Sequence, residues 1–122
     1  MSNHSTLFGL CPYVTALEII NGRWKMLIIK YINEGITHFG QLKRKLPGIT
    51  QSMLTNQLRS LEKDGIITRT VYSEVPPHVE YSLTEIGRQL EPIIREIGLW
   101  GKDYLTDHPE VYSQNNESKG ES

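Results

Sequence analysis

The chain has 122 residues, 38% of them hydrophobic, with 13 basic and 14 acidic side chains. That is one domain's length with apolar content for one modest core, which excludes a wholly disordered chain. No apolar run reaches membrane-spanning length, no basic-then-apolar leader opens the chain, and the lone Cys11 excludes an internal disulfide framework. The expectation is a cytoplasmic protein with no membrane partner.

Residues 1–10 are expected as a flexible N-terminal arm. Cys11-Pro12 then opens a first helix, because proline suits the first helical position and Val14, Leu17 and Ile20 repeat at three-residue spacing. Asn21-Gly22 ends it. In the second helix Trp24, Leu27, Ile28 and Tyr31 make one apolar face, with Arg23, Lys25 and Lys30 on the others. After Glu34-Gly35 a short third helix spans residues 39–45, Phe39 and Leu42 inward and Lys43, Arg44 and Lys45 outward, with Thr37 as its expected cap.

A Pro47-Gly48 turn leads into the fourth helix. Thr50 is a good N-cap, although Met53 stands where a capping box needs Glu or Gln. Leu54, Leu58 and Leu61 form the inward stripe; Ser52, Asn56, Arg59 and Lys63 lie roughly opposite at about 100° per residue. Gly65 stops the helix. Ile67, Arg69 and Val71 alternate with Thr68, Thr70 and Tyr72, and Val79, Tyr81 and Leu83 with Glu80 and Ser82, which predicts two strands. Pro76-Pro77 cannot donate to a ladder, so residues 73–78 are the hairpin tip, or wing.

Thr84-Glu85 starts a long fifth helix. Ile86, Leu90, Ile93, Ile97, Trp100 and Tyr104 repeat at 4-3 spacing, and Gly87, Glu91, Ile94, Gly98, Gly101 and Leu105 form an adjacent stripe. Two stripes exceed what one helix needs against its own core. Gly98 and Gly101 each weaken a helix by about 1 kcal/mol relative to Ala, which a close helix approach would offset. Residues 109–122 read as a disordered acidic tail. Residues 103–122 carry five acids against Lys119, a net of −4, leaving +3 for the first 102 residues. That distribution is compatible with DNA binding without requiring it.

Helix, tight turn, polar-faced helix and hairpin is the order of a winged helix-turn-helix: mainly α with a small β-hairpin (α+β), spanning residues 11–108 with N- and C-terminal dimerisation helices. Cys11-Pro12, Gly22-Arg23-Trp24, Phe39-Gly40-Gln41-Leu42, Leu54-Thr55-Asn56-Gln57-Leu58-Arg59-Ser60-Leu61-Glu62-Lys63-Asp64-Gly65, Pro76-Pro77-His78-Val79-Glu80-Tyr81, Leu83-Thr84-Glu85-Ile86-Gly87 and Trp100 together resemble the HxlR-type branch of the MarR-like bacterial and archaeal transcription regulators. The resemblance implies a homodimer joined through its N- and C-terminal helices. The chain departs from the family's usual Arg at His78, and from its frequent Ser-Glu at Gly40-Gln41.

Gln51, Ser52, Thr55, Asn56 and Arg59 are the candidate base contacts, since Arg pairs with guanine and Asn or Gln with adenine in the major groove. A solvated helix face would also carry such residues; their place just after a tight turn favours readout. Arg23, Lys25, Lys43, Lys45, Thr50 and Lys63 are candidates for the DNA backbone, and Arg69, Ser73 and His78 for the wing. An imidazole replacing a permanent cation makes that wing contact weaker or pH-sensitive, and a wing-tip His that contacts nothing fits as well. Leu17, Ile86, Leu90, Ile94, Ile97, Gly98, Trp100, Gly101 and Tyr104 are the expected dimer interface.

The resemblance implies that some relatives sense oxidants or electrophiles through the cysteine matching Cys11. A thiol at a helix start is chemically suited to this, and a small residue packing an interface explains it as well. A small-molecule or oxidant effector is therefore open.

No metalloprotease helix, paired Cys-x-x-Cys, phosphate loop or nucleophile elbow is present, and His4, His38 and His108 are scattered without metal-ligand spacing. No enzyme activity, cofactor or metal is expected. The reading is a homodimeric regulator binding double-stranded DNA at an inverted repeat; the alternative is a winged-helix protein-interaction module that does not bind DNA.

Overall fold

The order of elements is α1 (Pro12–Ile19), α2 (Lys25–Asn33), α3 (Phe39–Lys45), α4 (Gln51–Lys63), β1 (Ile67–Tyr72), β2 (His78–Leu83) and α5 (Glu85–Asp107) in the computed structural model, which describes residues 4–111. The expectations for residues 1–3 and for the tail beyond residue 111 lie outside the described residues. The chain divides at Pro92 into two units. The first holds α1 to α4, the hairpin and the start of α5; the second holds the rest of α5.

The core of the first unit is built on α4. Leu54, Leu58 and Leu61 are fully buried, as are Ile28 and Ile29 of α2, Leu42 of α3, Leu46 just after it and Ile67 of β1. Burying each such side chain stabilises the fold by about 1.5–3 kcal/mol relative to leaving it exposed. Thr50 Oγ1 accepts from the Met53 amide at 3.1 Å and caps the start of α4. At its end Gly65 takes φ +77. This left-handed residue lets Gly65 donate to the Glu62 carbonyl and Ile66 to the Leu61 carbonyl, satisfying two terminal acceptors.

β1 and β2 pair antiparallel, from Ile67 opposite Leu83 to Tyr72 opposite His78. The tip is therefore residues 73–77, and His78 begins the second strand rather than belonging to the tip. The Tyr81 amide donates to the Thr37 carbonyl at 2.8 Å, tying the hairpin to the segment before α3. The Thr84 hydroxyl accepts from the Gly87 amide at 3.1 Å and reaches the Gly65 carbonyl at 2.6 Å, so it caps α5 while anchoring it to the end of α4.

Three further expectations change. Residues 4–10, expected as a loose arm, are tied down: His4 Nδ1 lies 3.2 Å from Glu18 Oε1, and Nε2 lies 3.0 Å from Asp64 Oδ1. The Ser5 amide donates to Glu18 Oε1 at 2.7 Å and its hydroxyl to Oε2. Donation from Ser5 holds the Glu18 carboxyl below its ordinary pKa. The α3 N-cap is His38 rather than Thr37, with Gln41 Oε1 accepting from the His38 amide at 3.4 Å. On α5 the adjacent stripe is not uniformly open, because Gly87 and Glu91 are buried in the first unit.

Candidate nucleic-acid interface

α3 ends at the Pro47-Gly48 turn, where the Ile49 amide donates to the Leu46 carbonyl at 3.1 Å, and α4 begins two residues later. Burying Leu54, Leu58 and Leu61 fixes the rotation of α4, so its polar residues are turned outward by the same stripe that holds it. Gln51, Ser52, Asn56 and Arg59 are exposed and Thr55 is half-buried. These five together line a single shallow depression of about 370 Å³. A deeper groove of about 450 Å³ adjoins it between α4 and the hairpin, where Gln51, Thr55 and Arg59 meet Phe39, Glu62, Arg69 and Tyr81.

This surface offers a guanidinium, two amides and two hydroxyls on a convex helix, the set that reads base edges. The first turn of α4 holds no acidic residue, so nothing offsets the positive end of the helix dipole for an approaching phosphate. The Thr50 hydroxyl is partly committed there, accepting from Met53 and lying 3.4 Å from Ser52 Oγ.

Of the expected backbone contacts, Arg23, Lys43, Lys45 and Lys63 are exposed. The Arg23 guanidinium sits 5.7 Å from the Trp24 ring centroid, a cation–π contact that orients it. Lys25 departs from the expectation. Only 6% of it is exposed, and its Nζ donates to Asn21 Oδ1 at 3.2 Å. Burial lowers its pKa, which the nearby Asp64 carboxylate partly offsets. It is buried rather than presented to a backbone phosphate.

At the wing, Ser73 is exposed at the start of the tip. Arg69 lies further down, lining the α4 groove beside Arg59. His78 is held in the last strand pair below the tip, its ring stacked 4.6 Å from Tyr72, with Nε2 3.3 Å from Glu80 Oε2 and Nδ1 3.4 Å from Glu74 Oε2. His38, expected to stand alone, comes within 3.8 Å of the same Glu80 oxygen. The signal for this cluster was present in the sequence: residues two apart on a strand share one face, so His78 and Glu80 point the same way. Only the tertiary contact could add His38.

Leu17, Ile86, Ile97, Trp100 and Tyr104 of the expected interface are exposed, and Leu90 is half-buried. A β-carbon at Gly98 or Gly101 would meet nothing within 4 Å in this chain. Cys11 is a free, half-buried thiol at the N-cap of α1. No helix among the described residues is long and apolar enough to cross a membrane.

A helix, a tight turn, an outward-facing polar helix and a hairpin define a winged helix-turn-helix. The HxlR-like helix-turn-helix family matches residues 19–109, and the chain belongs to it. It is 51% identical over 97 residues to the uncharacterized HTH-type transcriptional regulator YdeP of Bacillus subtilis (strain 168), covering 80% of this chain and 76% of that one. Among solved structures, the redox regulator HypR in its reduced form superposes with a TM-score of 0.76 at 46% identity, covering 83% of this chain and 99% of that chain. HypR in its oxidized form gives 0.72 at 49% identity, covering 76% and 96%. The chain is thus a transcriptional regulator of the helix-turn-helix type, not an enzyme.

Proposed function

We propose that the chain regulates transcription as a homodimer that binds an inverted-repeat operator in double-stranded DNA. The observation that carries this is the single depression on α4 shared by Gln51, Ser52, Thr55, Asn56 and Arg59. α4 enters the major groove, the exposed cations Arg23, Lys43, Lys45 and Lys63 meet phosphates, and the hairpin lies along the flanking groove. Two-fold symmetry would space the half-sites by about 34 Å, one helical turn, or a multiple of it. Dimerisation is supported by the exposed run Ile93, Ile97, Trp100 and Tyr104 and by the open space at Gly98 and Gly101. An apolar stripe of this kind on a water-soluble helix calls for a covering surface.

The test is selection from genomic DNA fragments at several salt concentrations. A retained fragment carrying an inverted repeat, with log affinity falling steeply against log salt, is the expected result. No selective retention and a slope near zero would favour a protein-interaction module instead.

Cys11 is the residue through which this regulator would take up an oxidant or electrophile signal. The thiol is free and stands at the start of α1, and both forms of the similar HypR are described as those of a redox regulator. With one cysteine per chain, an oxidant gives a disulfide between subunits or with a small thiol, and an electrophile gives an S-alkyl adduct of Cys11. Oxidant should change operator affinity of the wild type and leave Cys11→Ser unaffected; equal responses remove Cys11 from the mechanism.

A further inference from the structure

His38 at the N-cap of α3 and the pair His78 and Glu80 at the start of β2 converge on one flank of the hairpin, at its tip-proximal end. Each offers a ligand atom within 4.8 Å of the other two. Both rings aim Nε2 at the same carboxylate oxygen, Glu80 Oε2, at 3.8 Å from His38 and 3.3 Å from His78. Their other nitrogens also face oxygen: His38 Nδ1 lies 3.3 Å from Gln41 Oε1, and His78 Nδ1 lies 3.4 Å from Glu74 Oε2. With the ring proton on Nδ1 and donated to those oxygens, each Nε2 keeps a lone pair free to ligate, the arrangement that supports metal-bound histidines.

We infer that His38, His78 and Glu80 form a binding site for a divalent transition cation of the zinc class. Two imidazoles and one carboxylate suit Zn²⁺ and its late first-row neighbours, whereas Mg²⁺ and Ca²⁺ require all-oxygen sets. Metal–ligand bonds of about 2.0–2.1 Å at tetrahedral angles separate ligand atoms by roughly 3.3 Å. The His78–Glu80 separation already has that value. The His38 ring must move inward by a fraction of its side-chain length, and 44% exposure of that side chain leaves room for the movement. Three protein ligands leave a fourth position for water. The bound ion would clip the start of α3 to β2 beside the Tyr81-to-Thr37 backbone bond, fixing the hairpin against the helix-turn-helix. The site stands on its own geometry and does not depend on DNA binding.

The experiment is calorimetric titration of the untagged, chelator-stripped chain with Zn²⁺ against a competing chelator. One Zn²⁺ per chain is expected. Affinity should fall by about tenfold or more in His38→Gln and in Glu80→Gln, and hold in Cys11→Ser and in His108→Gln, whose Nδ1 lies 2.9 Å from the Tyr104 carbonyl oxygen. Circular dichroism confirms that each variant is folded. Co²⁺ loading of the wild type gives a second reading that needs no variant: intense ligand-field bands of a low-coordinate ion, with imidazole scattering in its X-ray absorption spectrum. Absence of stoichiometric uptake, uptake unchanged by His38→Gln, or the weak bands of a hydrated octahedral ion would overturn the site and leave an ordinary His–Glu ion pair.

Discussion

The α5 backbone at Gly87 runs directly against the Ile66 carbonyl oxygen, so closely that a β-carbon there would fall well inside 3.0 Å of it. That carbonyl also accepts from the Thr84 amide at 3.0 Å and is held in place. Gly87→Ala is therefore expected to destabilise the fold by about 1–3 kcal/mol through overpacking, although Ala in a helix ordinarily gains about 1 kcal/mol over Gly. Urea denaturation of the two proteins gives the sign. A stabilised variant would mean that α5 shifts freely away from Ile66.

Gly98 and Gly101 provide the contrast. With open space at both β-carbons in one chain, Gly98→Ala should strengthen the helix itself and weaken self-association if a second copy packs closely there. Trp100→Glu should act more strongly, since Trp100 is 68% exposed in the single chain and a buried unpaired carboxylate costs several kcal/mol. Sedimentation equilibrium is the measurement. A dimer undisturbed by Trp100→Glu would move the interface off this stripe.

Much of this architecture was legible in the sequence because its signals are local. The Leu54, Leu58, Leu61 period, the Thr50 cap and the Gly65 stop each act within one or two turns of α4. What stayed hidden depends on contacts between distant segments. Lys25 lies on a helix whose pattern leaves it outward, yet it is buried, with Asp64 brought near it by the fold. Nothing before residue 10 has a period, yet Glu18 and Asp64 together hold His4. His38 meets Glu80 because the hairpin folds back onto the segment before α3. The five α4 residues were readable as a face, and the structure adds that they line one depression.

The N-terminal arm should release on acidification. Ser5 donates to Glu18 and lowers its pKa from the ordinary 4.5. The folded state therefore binds fewer protons here than the unfolded chain, so the contribution is complete above 4.5 and is lost as pH falls through the lower folded value. In Ser5→Ala the Glu18 pKa should return toward 4.5, followed by carboxyl-carbon NMR. His4 contacts Glu18 and Asp64, so its ring resonances should report the same release. No change in the Glu18 titration would show that Ser5 does not hold it.

The exposed and buried lysines separate stability from DNA contact. Lys43→Ala should leave the fold intact and lower the log–log salt slope of DNA binding by about 0.9, the value for one phosphate contact. Lys25→Ala should do the reverse. It opens an internal space, removes the donor to Asn21 and strips Asp64 of a nearby cation, costing on the order of 1–3 kcal/mol of stability with the slope unchanged. Arg59 divides the outcomes differently. It lines both the α4 depression and the groove shared with Arg69, a position from which it reaches a guanine or a phosphate. Paired with guanine, Arg59→Ala should cost about 1–3 kcal/mol on the operator and little on random DNA. Equal losses on both would assign it to the backbone, leaving Gln51, Ser52, Thr55 and Asn56 to carry the sequence discrimination.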